Sequence, residues 1–476
     1  MRFHSAQDSF NCASRLQAPL REFGGKAAFW SPKLGSVSFS EFGALCAKAQ
    51  KGARVLGLKP GSPVLILARP CPELYASIFA LIGMRIPVMF LEPWLPVEQI
   101  SSVLQKSAPQ AVLVESGVGG WLARLWSLKL GSGDFGKNCQ WISLAKLLRE
   151  RTQDEPIFED GPATDLAIMA FSSGSKSAPK GVIRSHLALW NAHEVIRDCA
   201  TRWQIDDSAP DLCVFPNLPL YNISEARTSL LLLDHWTSPD RLRRWKDIPE
   251  IVRPSSIACG PAVLRALLDS DAFPTLHSIK LGGAQTDCAV VEQSFKKWAD
   301  VRIHHVYGSS EAEPISIADA REALKLCAER DAFQLTYIGR PISEIEPRID
   351  ESVLWIRGPH VFSNESGSWW CTDDRIAESP TGWWYRGRGF QKSGDFELEQ
   401  RIYSFLRGSH SFIHRGADSS AHLVGEVPKE RTQDLLKTFP EIAAVHQASL
   451  VWDRRHRARI DRTRSLPKEL RQERTS

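Results

Sequence analysis

Ser172-Ser173-Gly174-Ser175-Lys176-Ser177-Ala178-Pro179-Lys180-Gly181 is the stretch on which the reading of this chain turns. Before it, the apolar run Leu166-Ala167-Ile168-Met169-Ala170-Phe171 has the length and character of a buried strand. After it, Ser185 stands where a cap would open a helix from about Leu187 to Val195. The expected order is therefore strand, small-residue loop, helix. Short side chains leave backbone N–H groups and hydroxyls free to converge on phosphate oxygens, and Lys180 adds a positive charge. The loop is not a Walker A sequence, because no glycine precedes Lys180 and no Ser or Thr follows it. Read alone, it is equally a surface turn.

Working back from the loop, helical and strand-like segments alternate. Pro63 to Ala68, Ile86 to Leu91 and Ala111 to Val114 read as buried strands. Helices are expected over Ser40–Leu56, Glu73–Met84 and Val97–Lys106, the first with apolar residues at Phe42, Leu45, Ala49 and Ala53. Val37-Ser38-Phe39 reads as a further strand, and 115 to 160 as a helix, a loop and the approach to the small-residue loop. Such alternation predicts a parallel sheet covered by helices.

Working forward, Leu212 to Phe215 is a strand candidate, followed by the turn-rich Pro219-Leu220-Tyr221-Asn222, where Tyr221 is a candidate wall of a substrate pocket. Ser256 to Pro261 and Ile279 to Ala284 are strands running into glycines. Gly282, Gly283 and Ala284 would let a flat ring lie against the backbone. Next comes Val301 to Glu311, a strand ending in Tyr307, Gly308, Ser309, Ser310 and Glu311: an aromatic face, hydroxyls and a carboxylate of the kind that helps hold Mg²⁺ beside phosphates. His304 and His305 are adjacent and so point to opposite faces of a strand. They make no chelating pair.

At 476 residues, 43% hydrophobic and 24% charged, the chain is long enough for a large domain and a smaller one. A formal charge of +4 is too small for a dedicated nucleic-acid binder. Much of the excess lies in Arg454, Arg455, Arg457, Arg459, Arg462 and Arg464, which reads as a solvated face. The 10 cysteines include no C-x-x-C pair, which argues against a zinc site or redox dithiol. No apolar run reaches the length of a membrane span, no signal peptide opens the chain, and a cytoplasmic protein is expected.

These motifs, in this order, resemble those of the adenylate-forming superfamily of acyl-CoA synthetases, luciferases and peptide-synthetase adenylation domains. Trp370-Cys371-Thr372-Asp373-Asp374 is similar to its Tyr/Trp-x-Thr-Gly-Asp segment, and Gly387-Arg388 to the pair before its C-terminal domain. Within the superfamily the likeness leans to the β-lactone synthetases of bacterial long-chain olefin biosynthesis, through Tyr307 to Ile315, Ile338 to Pro341 and Asp453 to Ile460. The resemblance implies an α/β fold with a large N-terminal domain of parallel and mixed sheets over residues 1–386, and a small, mobile, shortened α+β C-terminal domain over 387–476.

It also implies ATP and Mg²⁺ as cofactors, a small-molecule carboxylic acid as partner, and an acyl-adenylate intermediate. Ser172, Ser173, Gly174, Ser175 and Lys180 would hold phosphates, Glu311 the metal, Asp374 and Arg388 the ribose, and Tyr307, Gly308, Ser310 and Gly282 to Ala284 the rest of the nucleotide. Arg459 falls at the position of a catalytic lysine, though a guanidinium is not equivalent to a compact ammonium. Departures from the pattern are Lys176, Ser177, Asp373 for glycine, and Phe390 at a hinge position. The second step stays open between β-lactone closure of a 3-hydroxy fatty acid, thioester formation with CoA, and a degenerate binding protein without activity. Partner enzymes of a lipid pathway would accompany the first.

Overall fold

The computed structural model describes residues 3–31, 34–91, 97–115, 139–172, 180–202, 209–231, 249–270, 273–330, 332–362, 367–389, 394–406, 409–415, 419–451, 460, 462–467 and 470. Among these, three sheets carry the architecture. A six-stranded sheet runs, in spatial order, Gln140–Ser143, Ala111–Val114, Val64–Leu67, Val88–Leu91, Leu166–Ser172 and Lys180–Ser185. Its first five strands are parallel and the last is antiparallel.

A 13-stranded sheet has a parallel centre of Arg302–Ser309, Ser278–Gly282, Ser256–Cys259, Asp211–Cys213, Ser229–Leu231 and Ala27–Ser31, edged by antiparallel Gly35–Ser38. From Arg302–Ser309 it continues antiparallel through Ala312–Asp319, Tyr337–Pro341, Gly382–Arg388, Trp370–Ser379, Val353–Arg357 and Glu346–Asp350. A small sheet of Ser411–Arg415, Ala421–Gly425 and Ile442–Gln447 follows in the chain, with helices Asp395–Phe405 and Thr432–Thr438. The expected mixed α/β architecture with a small C-terminal sheet is what the chain adopts.

Local sequence explains the element boundaries. Helix Phe39–Val55 starts one residue earlier than its periodicity suggests, because Ser38 and Glu41 form a reciprocal capping box: Ser38 Oγ accepts from Glu41 N (3.2 Å) and Glu41 Oε2 accepts from Ser38 N (2.7 Å). Phe39 is thereby helical, and the strand before it is Gly35–Ser38. Phe39, Phe42, Cys46, Ala49 and Ala53 are all buried along one face. That face packs with helix Pro72–Gly83 against the six-stranded sheet.

Three expectations need correction. The small-residue loop does not lead into a helix. Leu166–Ser172 and Lys180–Ser185 pair antiparallel, with Ser172 opposite Lys180, and the helix, His186–Arg202, follows only after the second strand. Ser185 does cap it, accepting from Ala188 N at 3.1 Å. A strand was hidden because Lys180-Gly181 reads as loop chemistry, while only Val182-Ile183 carries strand character. Pro219-Leu220-Tyr221-Asn222 is not a turn but the body of a short helix, Leu218–Ser224, entered through Pro219 in its first turn. And Arg462 is no solvated arginine: it makes two 2.7 Å bonds to the buried carboxylate of Glu399, which also accepts from Ile413 N at 2.8 Å. Arg454, Arg455, Arg457 and Arg459 lie outside the described residues.

In the 115–160 stretch, Gln140–Ser143 adds a parallel strand and Leu144–Leu147 a short helix. His304 and His305 are both buried, and His305 Nδ1 lies 3.1 Å from the Tyr337 carbonyl. Burial pulls both imidazoles below their usual pKa, so they serve as neutral core residues.

Candidate nucleotide site

The site is best built from Asp374. Across the antiparallel pair Trp370–Ser379 and Gly382–Arg388, Asp374 stands directly opposite Arg388. Arg388 Nε approaches Asp374 Oδ1 at 3.1 Å, and its Nη1 donates to the Thr372 carbonyl at 3.2 Å. From strand Arg302–Ser309, three places further along the same sheet than Gly382–Arg388, Tyr307 donates its hydroxyl to Asp374 Oδ2 at 2.7 Å. Thr372 Oγ1 accepts from Asp374 N (3.1 Å) while donating to the Leu354 carbonyl (2.8 Å), which fixes the backbone. Burial, then the Asp374 charge, holds the Tyr307 hydroxyl well above its ordinary pKa, so it remains a donor. Burial works against the Arg388 cation, but Asp374, Tyr385, Tyr307 and Asp373 outweigh it and the pKa is raised.

Asp373 occupies its place at φ +58°, in the left-handed region where glycine is the undemanding residue. Its carbonyl accepts from Gly389 N at 2.7 Å, and a Cβ built on Gly389 would stand 2.3 Å from Asp373 Oδ1. The departure from glycine at 373 is therefore accommodated by an aspartate, a residue tolerant of this region, lying over a glycine. Asp373→Gly is expected to change stability by less than about 1 kcal/mol in either direction and to leave nucleotide affinity unchanged. Urea unfolding and ATP titration check it.

Gly282, Gly283 and Ala284 leave the C-terminal end of strand Ser278–Gly282, the end at which ligands bind in open parallel sheets. Gly282 is the register partner of Val306, and a Cβ there would come within 2.7 Å of the Val306 carbonyl oxygen. The next residue along that strand is Tyr307, so the glycine turn and the Tyr307–Asp374–Arg388 cluster are neighbours. Gly308 sits in the irregularity between Tyr307 and Ser309, and Ser310-Glu311 forms the two-residue turn into Ala312–Asp319. Glu311 N donates to Ser309 Oγ at 3.3 Å, and its carbonyl accepts from Phe362 N at 2.7 Å.

The small-residue loop's second strand is tied to that turn. Arg184 Nη2, from strand Lys180–Ser185, donates to the Ser310 carbonyl at 2.7 Å, and its guanidinium lies 4.7 Å from the centre of the Phe362 ring. Sequence reading missed Arg184 because it belongs to no phosphate or metal motif. Ser172 and Lys180 flank the hairpin connection as register partners. Ser173, Gly174, Ser175, Lys176 and Ser177, together with Phe390 and Arg459, lie outside the described residues.

Tyr221 lies on helix Leu218–Ser224. Its ring packs 4.6 Å from that of His193 on helix His186–Arg202, and His193 pairs with Glu225. On the other side, helix Asp395–Phe405 docks three residues beyond the glycine turn: Tyr403 donates its hydroxyl to Asp287 (3.0 Å) and Gln400 Nε2 to Gln334 Oε1 (2.9 Å). Arg265 and Gln334 also hold Asp287. Burial, then Asp287, pushes the Tyr403 pKa up, so this contact stays a neutral donor on a carboxylate.

Residues 16–364 match the family model described as AMP-binding enzyme. The chain is similar to the olefin beta-lactone synthetase of Xanthomonas campestris pv. campestris, with 24% identity over 332 residues, 66% of this chain and 57% of that protein. Its likeness to the olefin beta-lactone synthetase of Stenotrophomonas maltophilia is 24% over 307 residues, 62% of this chain and 54% of that protein. The chain thus spans little more than half the length of these curated relatives. Among solved structures, a benzoate CoA ligase from Burkholderia xenovorans LB400 superposes with a TM-score of 0.77 at 16% identity, covering 96% of this chain and 99% of that one. At that identity the likeness shows the fold.

Proposed function

This chain belongs to the AMP-binding enzyme family, and we propose that it activates the carboxylate of a fatty or 3-hydroxy fatty acid with ATP and completes β-lactone formation with release of AMP. The observation that carries the reading is the buried Asp374 carboxylate, held by Tyr307 and Arg388 beside the Gly282–Ala284 turn. A carboxylate so oriented accepts hydrogen bonds from vicinal ribose hydroxyls, and the glycine backbone with the Tyr307 ring suits a flat base. A boundary near residue 387 fits the last strand of the large sheet ending at Arg388.

In the first step the substrate carboxylate attacks the α-phosphorus of ATP and pyrophosphate leaves. Charge spreads over phosphate oxygens, so the chain's task is to supply fixed donors and cations, for which Lys180 and the serines from 172 to 175 are the candidates, with Arg459 a further cation. Glu311, with the hydroxyls of Ser309 and Ser310 beside it in the chain, would offer oxygen donors of the type that suits Mg²⁺. Bound there, the ion would neutralise phosphate charge. In the second step, the β-hydroxyl of the same molecule attacks the activated carbonyl carbon and gives up its proton to water, and AMP departs with the bonding pair. Proximity within one molecule removes the need for an external thiol. The likeness to two olefin beta-lactone synthetases favours this over thioester formation with CoA.

The test is acid-dependent ATP/pyrophosphate exchange across fatty and 3-hydroxy acids, followed by product analysis with and without CoA. A β-lactone formed without CoA is the expected product. A strict CoA requirement reassigns the second step, and ATP binding with no exchange for any acid makes the chain a binding protein. Lys180→Ala is expected to lower exchange about 100-fold, the loss typical of one charge-stabilising donor, with unchanged urea unfolding.

A further inference from the structure

We propose that Arg184 is a positioning residue for the Ser310-Glu311 turn, coupling the strand that leaves the small-residue loop to the placement of the Glu311 carboxylate. The turn joins two strands, and both of its carbonyls are held from outside that hairpin: Ser310 O by Arg184 Nη2 at 2.7 Å and Glu311 O by Phe362 N at 2.7 Å. The two holders touch each other, with the Arg184 guanidinium 4.7 Å from the centre of the Phe362 ring.

A two-residue turn with its peptide carbonyls fixed has little freedom left in the intervening backbone torsions, so the Cα–Cβ direction from which the Glu311 side chain starts is set before any ligand arrives. Arginine suits this place because a planar guanidinium donates in its plane and stacks with its face; an ammonium does only the first. Arg184 is also four residues from Lys180 along one strand. A displacement of the strand at Lys180 would thereby be transmitted through Arg184 to the Ser310-Glu311 turn, keeping the two segments in register.

This rests on the reading of Glu311 as a metal-holding carboxylate, so the experiment has one arm that depends on that reading and one that does not. In the first arm, amide hydrogen exchange is followed over residues 308–313 of the ligand-free protein. Arg184→Met, which keeps an apolar stem over Phe362, is expected to speed exchange there about 10-fold, with Arg184→Lys intermediate and the rest of the map unchanged. In the second, the Mg²⁺ concentration giving half-maximal ATP/pyrophosphate exchange is expected to rise about 10-fold in Arg184→Met, as when an outer-sphere support is lost. The rate at saturating Mg²⁺ is expected to stay within about 3-fold of the parent.

Unchanged hydrogen exchange over 308–313 overturns the clamp, whatever the activity. A faster-exchanging turn with an unmoved Mg²⁺ requirement overturns the coupling to the metal while leaving the underlying function intact. A parent chain with no exchange activity for any acid overturns the functional reading itself, and hydrogen exchange then reports a clamp that is structural only.

Discussion

Asp374→Ala is expected to lower kcat/KM for ATP in pyrophosphate exchange by at least about 100-fold. Two partners depend on that carboxylate, Tyr307 through its hydroxyl at 2.7 Å and Arg388 through Nε at 3.1 Å. One hydrogen bond to a charged group is worth roughly 1.5–3 kcal/mol, and stranding a buried donor adds its desolvation cost. The ribose hydroxyls would lose their acceptor at the same time. The loss would fall mainly in KM for ATP, because a residue that holds the ribose would bind ground state and transition state alike. Asp374→Asn keeps the shape and one acceptor oxygen while removing the charge, and is expected to fall between alanine and the parent. An exchange rate unaltered by both substitutions would move the nucleotide elsewhere.

The second large effect is on the scaffold. Asp211→Ala is expected to cost roughly 3–5 kcal/mol, the range for breaking a buried ion pair on one side. Asp211 lies at the start of its strand, on the opposite end of the parallel sheet from the glycine turn, and almost no water reaches it. Its carboxylate accepts from Ser256 Oγ at 2.8 Å and Asn222 Nδ2 at 3.3 Å, with Arg227 and Lys280 each at 3.7 Å. Arg227 is itself fully buried and donates to the Ala209 carbonyl, so alanine would remove its nearby carboxylate from a cation in the core.

Burial alone would raise the Asp211 pKa, but Lys280 and Arg227, with Ser256 and Asn222, outweigh it and the value is lowered. The contribution to stability is then complete above the ordinary carboxylate range and is lost as pH falls through the depressed folded value. Urea unfolding between pH 7 and pH 3 checks this. The parent should lose stability below about pH 4 more steeply than Asp211→Asn, and an identical slope in both would mean that Asp211 is not the titrating group. The folded fraction of the variant should retain pyrophosphate exchange, since the cluster sits away from the nucleotide end of the sheet.

How much of this was legible in the sequence follows from how local each cause is. Buried parallel strands such as Val64–Leu67, Val88–Leu91 and Ala111–Val114 are uninterrupted apolar runs, because both faces are covered, and they are recognisable in isolation. The glycines at 282 and 283 and the Tyr307-Gly308-Ser309-Ser310-Glu311 run are likewise short-range signatures. Strand Lys180–Ser185 was not legible, since an edge strand carrying Lys, Gly, Arg and Ser gains its hydrogen bonds from the neighbour Leu166–Ser172 and little from its own side chains. Nor was the burial of Glu399 beneath Arg462, which joins residues 63 apart in the chain.

By itself the sequence determined the family and the α/β alternation, since these depend on composition and spacing within a few residues. Only the tertiary structure decided that Leu166–Ser172 and Lys180–Ser185 pair as a hairpin, with the helix following only after the second strand. It also decided that Tyr307, Asp374 and Arg388 meet, and that Arg184 reaches the Ser310 carbonyl across 126 residues. Those contacts join strands far apart in the chain, Tyr307 and Asp374 across the 13-stranded sheet and Arg184 and Ser310 between two different sheets, and a pattern of side-chain types carries no record of which elements will meet.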